Sequence, residues 1–431
     1  MQEGGEKQEK PVAIMKDNET AEMKEIVLRE VEPLLRQKLG DHVVVENFTV
    51  EPLLPPGENY GSTILKVDVD LKKGQDGEQE QLHLIGKMLP PTEFQRRIFN
   101  SSKTFVKEIF MYETIMPAYS KLEASLKPKE VFNFLPKFYG SRMSLQPDVE
   151  MDDDAVFLME NLKAYGYYHG VRSVGYDMEH SKVALQALAR FHALGMAMKQ
   201  KQPGLFHMFK MHSKTYSIDA APDSDMFEAT LNTIKEDPDM CVYYDVCENV
   251  VNDIVRKGFW GDVPREPWMT IIHTDFWVNN VLFHRDDKGK IDDVKFVDFQ
   301  TYVYSSALRD VILYLFTSVE VDITDEQLES LLDLYYETLL KRLNQLKCDT
   351  KAFDKELFLE KLKEDAHYEF VHLLMMIKIM TMDIKESNFD YDNMHTAIID
   401  QEDSKTFVDR LRRVVLYFCK RNWLPVDEKT S

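Results

Sequence analysis

The stretch that decides the fold is IIHTDFWVNNVLFH, residues 271–284, in which bulky apolar residues surround a short polar centre. The centre holds His273, Asp275 and the adjacent pair Asn279–Asn280. Burying a polar group costs free energy unless the group finds a partner. An apolar segment that keeps these side chains together therefore indicates a site, and the flanking sequence indicates what kind.

A β-hairpin is predicted directly after this segment. VLFH (281–284) and IDDVKFVDF (291–299) have strand-like patterns, and the glycine-containing turn RDDKGK joins them. Asn280 begins the outgoing strand and Asp298 ends the returning strand. Antiparallel pairing brings both residues to the open end of the hairpin, beside Asp275.

The convergence of Asp275, Asn280 and Asp298 has a chemical consequence. Two nearby carboxylates repel each other unless a cation lies between them. Asparagine and aspartate oxygens suit Mg²⁺, and H-x-D-x-x-x-x-N followed by a strand-borne Asp is the arrangement used for phosphoryl transfer. On these residues alone, an alternative stays open: the polar residues cap a turn and His273 is a hydrogen-bonded core histidine.

Length, composition and charge limit the other possibilities. The chain has 431 residues, 44% of them hydrophobic, which is enough for two lobes. A net charge of −21 argues against nucleic-acid binding. Four cysteines without a C-x-x-C pair, a polar N-terminus, and an apolar run at 370–382 that Lys378 interrupts predict a cytoplasmic protein without a disulfide, zinc site or membrane anchor. We expect a monomer.

The pattern of the chain changes near residue 162. We predict a tail at 1–17, a nucleotide-binding β-rich lobe at 18–162 and a helical lobe with the acceptor site at 163–431. In the first lobe a helix from about Glu19 to Leu39 precedes strand patterns at 43–51, 63–71 and 81–89, and two later runs complete an antiparallel sheet. A helix from about Ser102 to Ile115 is expected to end at Pro117.

Two upstream segments fit a phosphate site. PPGENYGS contains Gly57 and Gly61, which allow close approach of the backbone to a phosphate, although an ordinary hairpin turn explains them as well. Lys87 lies in an apolar strand pattern, where a lysine is rarely buried without a partner. Glu108 in the next helix is the predicted partner, and Glu113 is the competing one. A surface ion pair of little energetic value is the alternative.

A third upstream segment is DAVFLMENL, residues 154–162, an apolar strand pattern that ends just before the helical half. We expect the connection between the lobes here. The backbone groups of Glu160, Asn161 and Leu162 are then candidates to hydrogen-bond adenine. This interpretation rests on position, because no side chain marks the site.

In this order the motifs resemble the ecdysteroid kinase-like (CHK kinase-like) family of protein-kinase-like small-molecule kinases. Trp277 with Asn279–Asn280, and Gln300 directly after Asp298–Phe299, are the residues by which the chain differs from choline kinases and aminoglycoside phosphotransferases. The resemblance implies an α+β, two-lobed protein-kinase-like fold. A small antiparallel β-sheet forms its N-lobe, and its C-lobe is larger and mainly helical.

The resemblance also implies roles for the site residues. Asp275 becomes the catalytic base, Asn280 and Asp298 hold Mg²⁺, and Lys87 and Glu108 position the phosphates of ATP. His273 and Asp310 are implied to brace the catalytic loop.

Two residues of the loop depart from the family pattern, Thr274 where glycine is usual and Phe276 where leucine is usual. A β-branched threonine does not comfortably hold a positive φ. We therefore expect an ordinary backbone conformation at Thr274.

The implied acceptor is a hydroxyl of a small apolar molecule, an ecdysteroid, a related sterol or a detoxification substrate. The methionine- and aromatic-rich helical half is compatible with such ligands. No DFG…APE segment follows Asp298, so protein substrates are not expected. The alternatives are a choline- or aminoglycoside-type kinase and a non-catalytic hormone- or lipid-binding protein that retains the fold.

Overall fold

The computed structural model describes residues 27–53, 61–74, 77–126, 133–214, 224–257, 266–382 and 403–425. The chain divides into two compact units, Met1–Phe105 with Pro136–Tyr165, and Val106–Leu135 with Gly166–Ser431. The predicted tail and Gly57 lie outside the described residues. Residues 106–135 belong to the second unit, and the predicted boundary at residue 162 lies close to the junction after Tyr165.

An antiparallel sheet dominates the first unit. Its five strands are β1 (Val43–Pro52), β2 (Thr63–Lys73), β3 (Gln79–Met88), β4 (Phe138–Arg142) and β5 (Val156–Glu160). They lie in the order β1-β2-β3-β5-β4, which confirms that the two later runs complete the sheet. Since side chains alternate between the faces of a strand, Leu82 and Leu84 of β3 join the apolar core on one face. Lys87 lies on the opposite face of β3 from these two leucines.

Three helices accompany the sheet: α1 (Val31–Leu39), α2 (Glu93–Ile98) and α3 (Ser101–Phe110), which continues into the second unit. Val31, Leu34 and Leu35 of α1 are buried in the same core as the strands. The predicted start near Glu19 lies outside the described residues, and the prediction of a helix that runs unbroken to Leu39 is wrong at residues 27–30. Residues 27–30 are not helical, and Glu30 has a left-handed φ of 53°.

Pro117 does not end the helix that precedes it, contrary to prediction. A π-helical turn, Met111–Ile115, follows α3 and leads directly into α4 (Met116–Ser125). Pro117 therefore lies in the first turn of α4, directly after Met116, whose N–H donates to the Met111 carbonyl in the π turn. The π turn supplies the local change in winding at which a new helical segment starts.

The second unit is mainly helical. Its further helices are α5 (Met178–Lys201), α6 (Pro203–His212), α7 (Ser224–Glu236), α8 (Tyr244–Lys257), α9 (Ala307–Thr317), α10 (Asp325–Gln345), α11 (Lys355–Thr381) and α12 (Lys405–Lys420). Asp177 caps α5 by accepting from the His180 N–H, and Thr324 forms the predicted capping box with Gln327. No described helix combines the length and apolar character needed to cross a bilayer. The α+β fold class is confirmed.

Two short antiparallel pairs of strands lie among these helices. β6 (Met269–Ile272) pairs with β9 (Val303–Ser306), and β7 (Val281–Arg285) pairs with β8 (Ile291–Phe296). The second pair is the predicted hairpin. The loop 273–280 connects the two pairs. The segment IIHTDFWVNNVLFH, residues 271–284, therefore begins at the end of β6, passes through this loop and continues into β7.

Helix α5 packs closely against β6 because Gly195 has no side chain. A Cβ at Gly195 would lie 2.1 Å from Thr270 Oγ1 and 2.7 Å from the Tyr119 hydroxyl. Both distances are shorter than any van der Waals contact. The glycine thus sets the distance between α5 and the strand that leads into the loop.

Candidate active site

The loop between β6 and β7 brings Asp275 and Asn280 together. Nδ2 of Asn280 donates to the backbone carbonyl of Asp275 at 2.9 Å and to its Oδ2 at 2.8 Å. A 3₁₀ turn, Val278–Asn280, sets the position of the asparagine at the start of β7. The amide nitrogen of Asn280 makes both bonds to Asp275, so the amide oxygen, on the other branch of the side chain, takes no part in them.

Asp298 lies at the same end of the hairpin. The Val297 N–H donates to the Asn280 carbonyl at 3.0 Å, so Asp298 follows directly after the last bond between the two chain segments. Its φ is 64°, which turns the chain away from the direction of β8. The backbone of Asp298 also hydrogen-bonds the buried hydroxyl of Tyr112. The sequence thus predicted the convergence of these residues from the hairpin register.

Electrostatics in this cluster disfavour two negative charges. Burial, and after it the Asp298 carboxylate, raise the pKa of Asp275 to about 7, against the opposing effects of His372 and of the hydrogen bonds from Asn280 and Trp277. A divalent cation would offset that repulsion. The available donors, an amide oxygen of Asn280 and a carboxylate of Asp298, are the hard oxygen ligands that Mg²⁺ prefers. The residues present therefore fit the metal that phosphoryl transfer requires.

The buried carboxylate of Asp310, in α9, holds the start of the loop. It accepts the backbone N–H of His273 at 2.7 Å and that of Thr274 at 2.8 Å, and it contacts His192 Nε2 at 3.1 Å. His273 Nε2 lies 2.9 Å from the Val297 carbonyl, and its Nδ1 accepts the Asp275 N–H at 3.3 Å. Burial lowers the pKa of His273, which favours the neutral ring that these contacts need.

The expectation of an ordinary backbone at Thr274 is wrong. Its φ is 70°, in the left-handed region. Such a conformation costs an L-residue roughly 1–2 kcal/mol. The bond to Asp310, together with a 2.9 Å hydrogen bond from the Thr274 hydroxyl to the hydroxyl of Thr301, holds it there. Phe276, the second departure from the family pattern, is fully buried and packs edge-to-face on Phe296 at 4.8 Å.

The predicted phosphate-positioning residues are both buried. Lys87 of β3, opposite Phe157 of β5, is 3% exposed, and Glu108 of α3 is 1% exposed. Lys87 belongs to the first unit and Glu108 to the second. Their pairing stays a prediction. Gly61, two residues before β2 begins, is buried.

The segment predicted to bind adenine follows β5. The Glu160 N–H donates to the Lys137 carbonyl at 2.8 Å, and the Asn161 N–H donates to the His83 carbonyl at 2.9 Å. The Asn161 carbonyl accepts from the Ala164 N–H at 3.0 Å. The N–H groups of Glu160 and Asn161 therefore already have acceptors within the first unit.

Sequence reasoning missed a buried ionic chain on α9 and α11. Glu369 accepts hydrogen bonds from Arg309 and from His372, whose Nδ1 lies 2.9 Å away. His372 in turn acts electrostatically on Asp275. The run FVHLLMMIKIMTM indicates a buried helix but gives no sign of this connection. Tyr176, whose hydroxyl contacts the turn of Asn280, was missed as well.

Comparisons with known proteins give a family and several distant structural neighbours. The model of the ecdysteroid kinase-like family matches residues 56–348. No curated protein matches the chain. A choline kinase from Cryptosporidium parvum Iowa II has 10% identity and a TM-score of 0.43, over 90% of this chain and 94% of that one. An ethanolamine kinase from Plasmodium vivax has 13% identity and a TM-score of 0.37, over 85% and 84%.

The structure of an amicoumacin kinase with AMP-PNP, Ca²⁺ and amicoumacin has 14% identity and a TM-score of 0.40, over 81% of this chain and 86% of that one. The family match carries more weight than these neighbours, because it spans more than half of the chain and includes the whole loop and hairpin described above. The prediction of a small-molecule kinase is confirmed at the level of the family. The chain belongs to the ecdysteroid kinase-like family.

Proposed function

We propose that the protein transfers the γ-phosphoryl group of ATP, with Mg²⁺, to a hydroxyl of a small apolar molecule. An ecdysteroid is the first candidate, and a related sterol or a detoxification substrate is the next. The observation that carries the proposal is the meeting of Asp275, Asn280 and Asp298 at one end of the β7–β8 hairpin, supported by the family match.

In this proposal Asp275 accepts the proton of the acceptor hydroxyl. A pKa near 7 makes its carboxylate a base matched to neutral pH. Asn280 orients that carboxylate through Nδ2, and Trp277 donates a second hydrogen bond to it.

Asn280 and Asp298 are the proposed metal ligands. Bound Mg²⁺ would neutralise charge on the nucleotide phosphates. Lys87 and Glu108 are proposed to position those phosphates, with Gly57 and Gly61 near them. The backbone of Glu160, Asn161 and Leu162 is proposed to bind the base through groups other than the N–H groups of Glu160 and Asn161, which already have acceptors.

The remaining features of the proposal rest on composition. The sequence has four cysteines without a C-x-x-C pair, a usage typical of a reducing compartment. We propose a cytoplasmic monomer that binds ATP and a small alcohol.

The test is phosphate transfer by the purified protein with Mg-ATP and a panel of ecdysteroids, phenols, choline and an aminoglycoside. Mass spectrometry of the products identifies the acceptor. Asp275→Ala is expected to abolish transfer. Asp292→Ala, an exposed residue on the same hairpin that contacts His284 at 2.7 Å, is the matched control and is expected to keep it.

Each outcome selects one function. A phosphorylated ecdysteroid or phenol supports the proposal, and transfer only to choline or the aminoglycoside replaces it with that kinase class. Ecdysteroid binding without turnover, unchanged in Asp298→Ala, would instead identify a non-catalytic binding protein.

A further inference from the structure

A tyrosine hydroxyl contacts the turn that carries Asn280. Tyr176 lies directly before α5 with 3% of its surface exposed. Its hydroxyl lies 2.7 Å from the Val281 carbonyl and 3.1 Å from the Val278 carbonyl, and it accepts the Gly170 N–H at 2.8 Å. One hydroxyl hydrogen is thus shared between two carbonyls that flank the Asn279–Asn280 pair in the sequence.

The tyrosine is itself held in place. Its N–H donates to the Ser318 carbonyl at 2.7 Å, and its carbonyl accepts the Glu320 N–H at 3.1 Å. Its ring packs edge-to-face on Phe283 of β7, with centroids 4.9 Å apart. The hydroxyl therefore cannot follow a movement of the Val278–Asn280 turn without breaking these contacts.

A second support comes from the last helix. Arg410 of α12 donates to the carbonyls of Ser173, Val174 and Val319. Ser173 and Val174 lie shortly before Tyr176 in the chain, and Val319 lies between the two residues to which the Tyr176 backbone is hydrogen-bonded. Arg410 is 3% exposed and lies beyond residue 348, where the family match ends. The C-terminal helix thus braces the segment from which Tyr176 reaches the site.

We propose that Tyr176 is a positioning residue for metal binding: its hydroxyl fixes the 3₁₀ turn so that the Asn280 side chain keeps the geometry Mg²⁺ needs. This inference rests on the proposed function. Mg²⁺ requires near-ideal octahedral geometry, and ligand distances tolerate shifts of only about 0.2 Å. Asn280 is otherwise held by its bonds to Asp275 and Val297 and by its N–H, which donates to the Trp277 carbonyl at 2.9 Å. None of these bonds involves the carbonyls of Val278 and Val281.

The test compares Tyr176→Phe with the unchanged protein. Isothermal titration calorimetry measures the Kd of AMP-PNP with Mg²⁺ and with EDTA, and the ratio of the two constants is the gain in affinity due to the metal. Loss of a residue that orients a metal ligand reduces metal affinity by about tenfold or more. We expect the ratio to fall by that factor, with the Kd in EDTA unchanged.

Tyr336→Phe is the matched control. The Tyr336 hydroxyl also donates to a backbone carbonyl, that of Phe353, at 2.9 Å, but in α10. It should lose similar stability and keep the wild-type ratio. An unchanged ratio of the two Kd values in Tyr176→Phe, or an equal fall of that ratio in Tyr336→Phe, overturns the inference about Tyr176 and leaves the proposed function untouched. A wild-type protein without metal-dependent AMP-PNP binding overturns the proposed function and this inference together.

Discussion

Replacing Asp310 by asparagine tests how the loop that carries Asp275 is held. Each carboxylate oxygen of Asp310 accepts one backbone N–H, from His273 at 2.7 Å and from Thr274 at 2.8 Å, and the side chain is 1% exposed. Asparagine has the same shape but only one oxygen. Its amide nitrogen would face a backbone N–H, so two donors would meet where a donor and an acceptor now meet.

The magnitude follows from these contacts. A buried N–H left without an acceptor costs about 1–3 kcal/mol, and the second bond loses the extra strength of a charged acceptor, about 1 kcal/mol. Relaxation of Thr274 out of its left-handed conformation recovers roughly 1 kcal/mol. We therefore expect Asp310→Asn to lower the free energy of unfolding by about 1–3 kcal/mol, as measured by urea unfolding. Phosphate transfer should fall with it, because the start of the catalytic loop shifts.

Asp237→Asn is the control for Asp310→Asn. In the turn that follows α7, Asp237 accepts two backbone N–H groups through Oδ1, from Asp239 at 2.9 Å and from Met240 at 3.0 Å, and its Oδ2 accepts from Arg412, a charged contact that asparagine would weaken. It should lose stability without losing turnover. An Asp310→Asn protein as stable as the wild type, with full turnover, would refute the role assigned to this carboxylate.

Three further changes test other parts of the second unit by urea unfolding. The free energy of unfolding of Thr274→Gly should stay within about 1 kcal/mol of the wild type, because glycine accepts a positive φ. That of Thr274→Val should fall by about 1–2 kcal/mol, because the hydroxyl bond is lost. Equal losses in the two variants would contradict backbone strain at this position. Gly195→Ala should cost about 1–3 kcal/mol through overpacking, whereas Gly204→Ala, where a Cβ meets nothing within 4 Å, should not destabilise. Burial alone would raise the pKa of Glu369, but Arg309 and a neighbouring histidine hold it below the ordinary 4.5. The stabilisation by the Glu369 carboxylate is therefore present above pH 4.5 and is lost as the pH falls through its lower pKa in the folded protein. The wild type should thus lose stability more steeply than Glu369→Gln between about pH 5 and 3. Parallel curves of stability against pH would exclude a stabilising role for this carboxylate.

The hairpin and the cluster at its open end were predictable because both depend on local sequence. Alternating residues fix strand register, and the register places Asn280 beside the residue before Asp298. The five-stranded sheet followed from the same alternation. The capping boxes and N-caps are also local signals, which is why Asp177 and Thr324 were identified correctly.

The features that sequence reasoning missed depend on partners far along the chain. Thr274 holds a positive φ because Asp310, 36 residues later, accepts its N–H. Tyr176 contacts carbonyls more than 100 residues away, and backbone carbonyls leave no trace in a sequence. The helix expected to end at Pro117 continues because a π turn precedes it, and no residue type marks such a turn.

The indole of Trp277 has a spectroscopic use, apart from the chemistry proposed for its neighbours. It donates a hydrogen bond to Asp275 and is 8% exposed, so its fluorescence emission should respond to the charge and hydration of that carboxylate. The chain has only four tryptophans, and Trp268 is fully buried among Phe353 and Phe358, where it offers a steady internal reference. The protein therefore carries a native optical probe of its candidate active site, which can report the arrival of a ligand without any label.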